Sequence, residues 1–515
     1  MHHDWTVRIA GVVTIAGAIA LLLGSACGPQ RPNLALQRQI ADSALAEGCY
    51  RCLDEAVTRL FGLPPARPAM ARAHDTQLFR ALLLLALREK ELGLDASQRL
   101  RQAGLLAPRT TVPAAAAEQL KWASLIPGAP SGLPRDVADA ERMKLYAMGG
   151  ELDRRLAGAA AMTDPLDVYL NVSLTCTREG MRGAPEPAAI AAPAASSPIV
   201  QWRVAICGRS HEDALKAFVA AHPRYVEADY FLGRYRMPMV GDPAARREVR
   251  DRLRAVDTAI PGSLAIAYDL AGVTRVTSPK DALPLYQRIT RQQPLHNEAW
   301  LGQGICLTYL EQPREAIDAL SKVIENGRWV VGDARYWRAW NRHSLGELDA
   351  AWADIDAARR ILYNTDTYGL AGRIAYERQE LDTARPLLEK ARELDDTNCG
   401  AAWFLGLVHT GQERWPDGAT IFEQAEACYR SEITRVRTEL AASRETDETV
   451  RAERAASADL TIRNGERQAA LSAYNAAFAW VRGNHKDRSR PLLDRAVEHP
   501  EVSDRARELR AFVDR

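Results

Sequence analysis

A set of offsets that recurs every 33 to 35 residues constrains this 515-residue chain more than any other feature. A small residue or Leu inside an apolar helical pattern returns as Leu270, Gly304, Ala339, Gly372 and Gly406. Twelve residues further on, a second series runs Ala282, Ala316, Ala351, Ala384 and Gly418. A third series is Tyr286, Leu320, Ile355, Leu388 and Phe422, and a fourth is Ile289, Val323, Ala358, Ala391 and Ala425. All four slip by the same single residues, which independently folding helices have no reason to do. The unit is therefore a helical hairpin copied in tandem, and this is settled before any element is assigned by itself.

The chemistry of each position follows from close packing. Gly or Ala on the first helix lets the second approach, and the Ala that opens the second helix does the same in return. Larger apolar residues four and seven places later lie on one stripe, because a turn takes 3.6 residues. No single hairpin covers its apolar stripe, so neighbours must stack, and the expected fold is an all-α solenoid of antiparallel helix pairs. Hydrophobic residues at 47% and charged residues at 26% suit such a core and exclude a collagen or a multi-span membrane protein.

The phrases Ala228-Asp229-Tyr230-Phe231-Leu232-Gly233, Ala402-Trp403-Phe404-Leu405-Gly406 and Glu315-Ala316-Ile317-Asp318-Ala319-Leu320 carry a family resemblance. The first two are similar to the first helix, and the third to the second helix, of the tetratricopeptide repeat. Five units are expected over 263–430, with weaker units over 201–262 and a C-terminal cap of the same kind over 468–515. Residues 36–182 read as a divergent helical region. The Ala/Pro-rich run 183–200 reads as a linker able to separate two modules. The Glu-, Arg- and Ala-rich stretch 431–467 reads as a charged helical extension, either two elongated repeat helices or a hairpin projecting past the solenoid with Glu445-Thr446-Asp447 at its tip.

The resemblance implies a superhelix whose concave side is lined by first-helix positions −3, −2, +1 and +4 from the small residue. Six origins, Gly233 and the five above, give 24 such positions, and nine are aromatic where the chain's 7% aromatic content predicts fewer than two. They are Tyr230, Phe231, Tyr268, Tyr336, Trp337, Trp340, Tyr376, Trp403 and Phe404, with Arg234, His343 and Arg373 among them. Rings supply apolar contact and Arg forks onto carboxylates, so this face suits an extended peptide. The competing use of the rings is packing between repeats. His343 alone reads as a solvated or stacked side chain rather than a ligand.

The N-terminus reads as a targeting device. Residues 9–23, IAGVVTIAGAIALLL, are apolar but short for a membrane-spanning helix, and Gly24-Ser25-Ala26 then lead into Cys27. That order resembles a bacterial lipobox, which implies a signal peptide over 1–26, lipidation of Cys27, a tether over 27–35, and an exported chain on the outer membrane facing the periplasm. Seven further cysteines make an odd count, so one thiol stays free unless it pairs between molecules. Cys49 and Cys52 have the C-x-x-C spacing, and a structural bridge or buried thiols are expected there ahead of redox exchange or half a zinc site.

Sixty-seven basic residues against 66 acidic ones give a net charge of +1, so no global field draws the chain to nucleic acid. No phosphate loop, dinucleotide fingerprint, H-E-x-x-H or nucleophile elbow is present. No cofactor or metal is expected. The expected function is a non-enzymatic, lipid-anchored scaffold that binds a protein or peptide in its groove as an envelope assembly or docking factor. Two other classes compete: an enzyme whose catalytic part lies within 36–200, and a self-associating structural protein.

Overall fold

The computed structural model describes residues 33–65, 67–158, 162–179, 192–207, 211–237, 242–443 and 448–515. The leader, Cys27 and the tip at 445–447 lie outside them. The described residues form helices and turns without a strand, and consecutive helices pack against one another along the chain. From 264 onward the pairs are Leu264–Arg275 with Pro279–Gln292, Asn297–Tyr309 with Pro313–Asn326, and Val331–Ser344 with Leu348–Ala358. Thr365–Glu377 with Leu381–Leu394 and Cys399–Gly411 with Trp415–Ala441 follow, and first helices also touch the next first helix, as stacking requires.

The offsets read from the sequence are steric facts here. The third series is buried throughout. Each of its members lies sixteen residues after a first-series position, which is small in every unit but that of Leu270, and a Cβ added at Gly304, Gly372 or Gly406 would collide with Leu320, Leu388 or Phe422. Turn chemistry repeats with the same period. Seven residues after the small position the backbone enters the left-handed region, at Glu311, Gly346, Gln379 and Glu413, and again at Asn484 seven after Ala477. The next amide then reaches back five residues, as in Gln312 to Leu307, Glu380 to Ala375 and His485 to Trp480, which closes each first helix with a Schellman-type cap. Ser263, His296, Asn364 and Asn398 cap the N-termini of four first helices with their side chains.

The charged stretch is helical on both sides of residues 444–447, which lie outside the described residues. Trp415–Ala441 and Glu448–Arg482 run alongside each other, and Arg454 reaches Asp242 at 3.3 Å, so this arm lies against the start of helix Pro243–Ala259. The flanks of the expected linker also stay together. Helix Pro165–Glu179 packs on Pro198–Cys207, and Cys176 is bridged to Cys207. Residues 192–195 and 198–200 of that run are helical, and 183–191 lie outside the described residues.

The N-terminal helices join the repeats through a buried ionic cluster. Arg88 on helix Ala71–Glu91 pairs with Glu91 and Glu227, each at 2.8 Å, and its guanidinium stacks 4.2 Å from the Trp202 ring centre. On the same helix, burial raises the Glu89 carboxyl to about 7, against the pull of Arg99 at 3.3 Å. The folded chain thus keeps a proton that the unfolded chain has lost between about 4.5 and 7. Its contribution is complete below pH 4.5 and is lost as the pH rises through 7. Urea midpoints should therefore fall more between pH 5 and 8 for the wild type than for Glu89→Gln; equal falls would refute this assignment.

Candidate functional site

The twelve candidate residues divide into three groups. Position −2 turns toward the seam with a neighbouring unit rather than into an open groove, because 200° of helical rotation takes it away from the concave centre. Phe231 packs on Trp202 with ring centres 5.2 Å apart, and Tyr268 stacks on His296 at 5.2 Å. Trp337 packs with Leu320, Val323 and Ala334, while Phe404 joins the core around Leu370 and Leu405. For these four, packing between repeats is the main use of the ring.

The second group meets its own chain. Segment 127–136, with prolines at 127, 130 and 134, crosses three successive first helices. The Ser131 hydroxyl lies 3.4 Å from the Tyr230 hydroxyl and 3.5 Å from Asp269, and the Ser131 carbonyl is 3.2 Å from His296 Nε2. A Cβ at Gly132 would stand 3.0 Å from the Ala265 backbone nitrogen, so a larger residue there would have to push the two segments apart by a few tenths of an ångström. Arg135 stacks 4.0 Å from the Trp329 ring centre, and Asp136 accepts from the Trp329 indole at 2.6 Å and from Arg328 at 3.0 Å. Tyr230 is fully buried, and Arg234 turns to Asp269 at 3.3 Å. Expectation and structure therefore differ at Tyr230, which meets segment 127–136, and at Phe231 and Tyr268, whose rings pack, while Arg234 stays partly exposed beside Asp269. The sequence held the signal: a Pro/Gly-rich stretch too long for a turn, between helical runs.

The third group is left facing outward. Trp340 is 40% exposed, and Arg373, His343, Tyr376, Tyr336 and Trp403 are partly exposed around it. Glu377 ties them, accepting from Arg373 Nε at 3.0 Å and meeting His343 Nε2 at 2.6 Å. His343 is thus hydrogen-bonded and largely covered, rather than solvated. Arg373 also lies 5.2 Å from the Phe404 ring centre, and Phe404 contacts Tyr376 and Trp403 edge-on. On the other side, Trp337 sits between Tyr336 at 5.4 Å and Tyr309 at 5.8 Å. Tyr309, 59% exposed, was not among the candidates. It stands five residues after Gly304, and counting position +5 as part of the face would have found it. Burial raises the Tyr336 hydroxyl to about 12, so it stays a neutral donor and acceptor.

Among the described residues, cysteine pairing leaves one thiol free. Cys49–Cys52, Cys176–Cys207 and Cys399–Cys428 are bridged, and Cys306 is free, buried and raised to about 12 by that burial. Cys49 and Cys52 are both buried at the head of helix Tyr50–Gly62, which suits a structural clip rather than redox exchange. Among the described residues no group of three or more His, Cys, Asp or Glu side chains is placed to hold a metal, and no helix is long and apolar enough to cross a membrane.

No protein-family model and no curated protein matches the sequence. Solved structures similar to it include YrrB, described as a tetratricopeptide repeat protein with an unusual peptide-binding site. The two share 13% identity over 43% of this chain and 97% of that one, with a TM-score of 0.32. A tetratricopeptide repeat protein from Parabacteroides merdae is 16% identical over 49% of this chain and 91% of that one, at a TM-score of 0.35. The Cut9–Hcn1 assembly of the APC/C is similar over 96% of this chain and 98% of that one, at 12% identity and a TM-score of 0.31. The assignment rests on this chain's own register: paired antiparallel helices, a small residue under a large one sixteen places later in most units, and a left-handed cap at a fixed offset make it an α-solenoid of stacked helix hairpins, the architecture that the tetratricopeptide resemblance implied.

Proposed function

We propose that this protein is a non-enzymatic scaffold, exported and lipid-anchored at Cys27, that holds an extended segment of a partner protein as an envelope assembly or docking factor on the outer membrane facing the periplasm. The observation that carries the reading is the outward-facing surface over units 297–411. There, exposed Tyr309 and Trp340 flank a Glu377-bridged His343 and Arg373, next to the ring cluster of Tyr376, Phe404 and Trp403. Rings give contact area at low entropic cost, and Arg373 has donors left for a carbonyl or carboxylate. Three disulfides support an oxidising compartment. Segment 127–136 already meets the N-terminal ends of the first helices as far as Trp329, so the partner would occupy the ring-bearing face between Tyr309 and Phe404.

The test replaces Trp337, Trp340 and Arg373 together with Ala and captures partners from envelope extract. Trp337 is included although it packs inward, so folding is checked by circular dichroism, and a Trp340→Ala/Arg373→Ala chain keeps the core intact. Loss of two outward anchors should weaken capture by about 30-fold or more. Undiminished capture by both variants would overturn the groove assignment. In the same cells Cys27→Ser should move the protein out of the membrane fraction, and its retention there would overturn the lipid anchor.

A further inference from the structure

A second concavity lies between the N-terminal helices and the first repeats, apart from the ring-lined face. It is a cleft of about 540 Å³ whose walls come from helices Ala71–Glu91, Arg135–Tyr146, Pro165–Glu179 and Pro198–Cys207, from residues 126–130, and from Phe231 and Arg234. Five cations line it: Lys90, Arg142, Arg178, Arg203 and Arg234. A single carboxylate, Glu91, stands among the lining residues. That carboxylate is fully engaged, by Arg88 at 2.8 Å, Arg203 at 3.1 Å, the Trp202 indole at 3.1 Å and the Tyr169 hydroxyl.

The other acids around these cations lie behind the walls and use only part of their capacity. Asp139 meets Arg142 at 3.8 Å, Asp153 meets Arg178 at 2.7 Å, and Asp269 meets Arg234 at 3.3 Å. Glu141 attracts Lys90 and accepts from the Gly128 amide at 2.8 Å. Lys90 itself donates to the carbonyls of Ala123, Ser124 and Ile126. Each guanidinium carries five N–H groups, and the acid contacts use one nitrogen of Arg142, 3.8 Å from Asp139, and one of Arg203, 3.1 Å from Glu91.

We propose that this cleft binds a phosphate ester, its phosphoryl oxygens taken by Arg142, Arg203 and Arg234 and its organic part resting on Leu87, Ile126 and Phe231. Cations converging from five separate helices suit a group with several acceptor oxygens better than a planar carboxylate, which one fork already satisfies. The apolar floor asks for an ester rather than a bare ion. The shared chemistry is a phosphorylated glycerol-like group, which is found both in soluble esters and in phospholipid headgroups.

The experiment is calorimetric titration of the full chain in mild detergent with sn-glycerol 3-phosphate, with a water-soluble short-chain phosphatidylglycerol, and with uncharged glycerol. At least one phosphate probe should bind where glycerol does not, and added salt should weaken it. Arg142 is exposed and loosely paired, so Arg142→Glu should leave the fold intact and weaken binding by about tenfold or more. Should it disturb folding, Arg142→Gln carries the same expectation, and Arg203→Lys should also bind more weakly. Tighter binding of the monoester assigns a soluble ligand, and tighter binding of the phospholipid assigns a headgroup. Absence of binding by both phosphate probes, or unchanged affinity in the Arg142 and Arg203 variants, would overturn the site.

Discussion

Replacing Arg88 with Ala should destabilise the chain by about 3–5 kcal/mol, the cost of breaking a buried pair from one side. The Arg88 side chain is 2% exposed and that of Glu227 1%, and they meet at 2.8 Å. Glu227 also accepts from the Tyr50 amide at 2.7 Å, so three elements converge on one carboxylate. Burial holds the Glu227 carboxyl above its ordinary range even with Arg88 present, and once the guanidinium is gone the backbone amides of Tyr50 and Glu227 are left to offset that burial without a counter-charge. The stack on Trp202 at 4.2 Å and Tyr225 at 5.1 Å would be lost as well. Removing both charges at once should cost far less, because no uncompensated ion remains, so Arg88→Met with Glu227→Gln is the discriminating chain. Urea unfolding of the two variants checks this. An Arg88→Ala loss under about 1 kcal/mol, or a double variant worse than the single, would sink the account.

Sequence alone carried the solenoid a long way because its signal is redundant: five copies of one steric relation repeat at a fixed distance. Leu320, Leu388 and Phe422 are buried where the offsets put them. The left-handed caps were not legible at Glu311, Gln379 and Glu413, since only Gly346 carries the residue that normally marks such a turn. The candidate face was half legible. Spacing identifies which residues share a helix face, but not what lies across from it. Tyr230 was on the expected face, yet segment 127–136, about a hundred residues earlier in the chain, meets it through Ser131. Contact at that separation leaves no periodic trace. Phe231, Tyr268, Trp337 and Phe404 differ for a local reason, since position −2 lies on the border between groove and seam and large rings there turn toward the seam. The Arg88 cluster left no signal at all: its members stand at 88, 91, 203 and 227, each an ordinary surface residue type by itself.

The steric reading of the repeat makes opposite demands on glycines that look alike in sequence. A Cβ at Gly372 would stand 2.5 Å from Leu388 Cγ and 3.3 Å from its backbone nitrogen, and one at Gly302 would strike the buried Tyr286 ring at 2.4 Å. Ala improves an isolated helix by about 1 kcal/mol, but overpacking costs about 1–3 kcal/mol, and the backbone contact denies Leu388 an easy retreat. Gly372→Ala and Gly302→Ala should therefore each destabilise by about 1–2 kcal/mol net. Gly104, inside helix Ser97–Leu106, has its nearest neighbour at 3.6 Å, an ordinary contact, so Gly104→Ala should stabilise by about 0.5–1 kcal/mol. The collision at Gly372 has a named partner, which permits a stricter test. Leu388→Ala alone should cost about 2–5 kcal/mol, yet combined with Gly372→Ala it should cost less than the sum, because the new methyl enters the space the leucine vacates. Strict additivity in that cycle, measured by urea unfolding, would mean that the small and large positions do not face each other, and the sixteen-residue relation that defines the hairpin would lose its physical content.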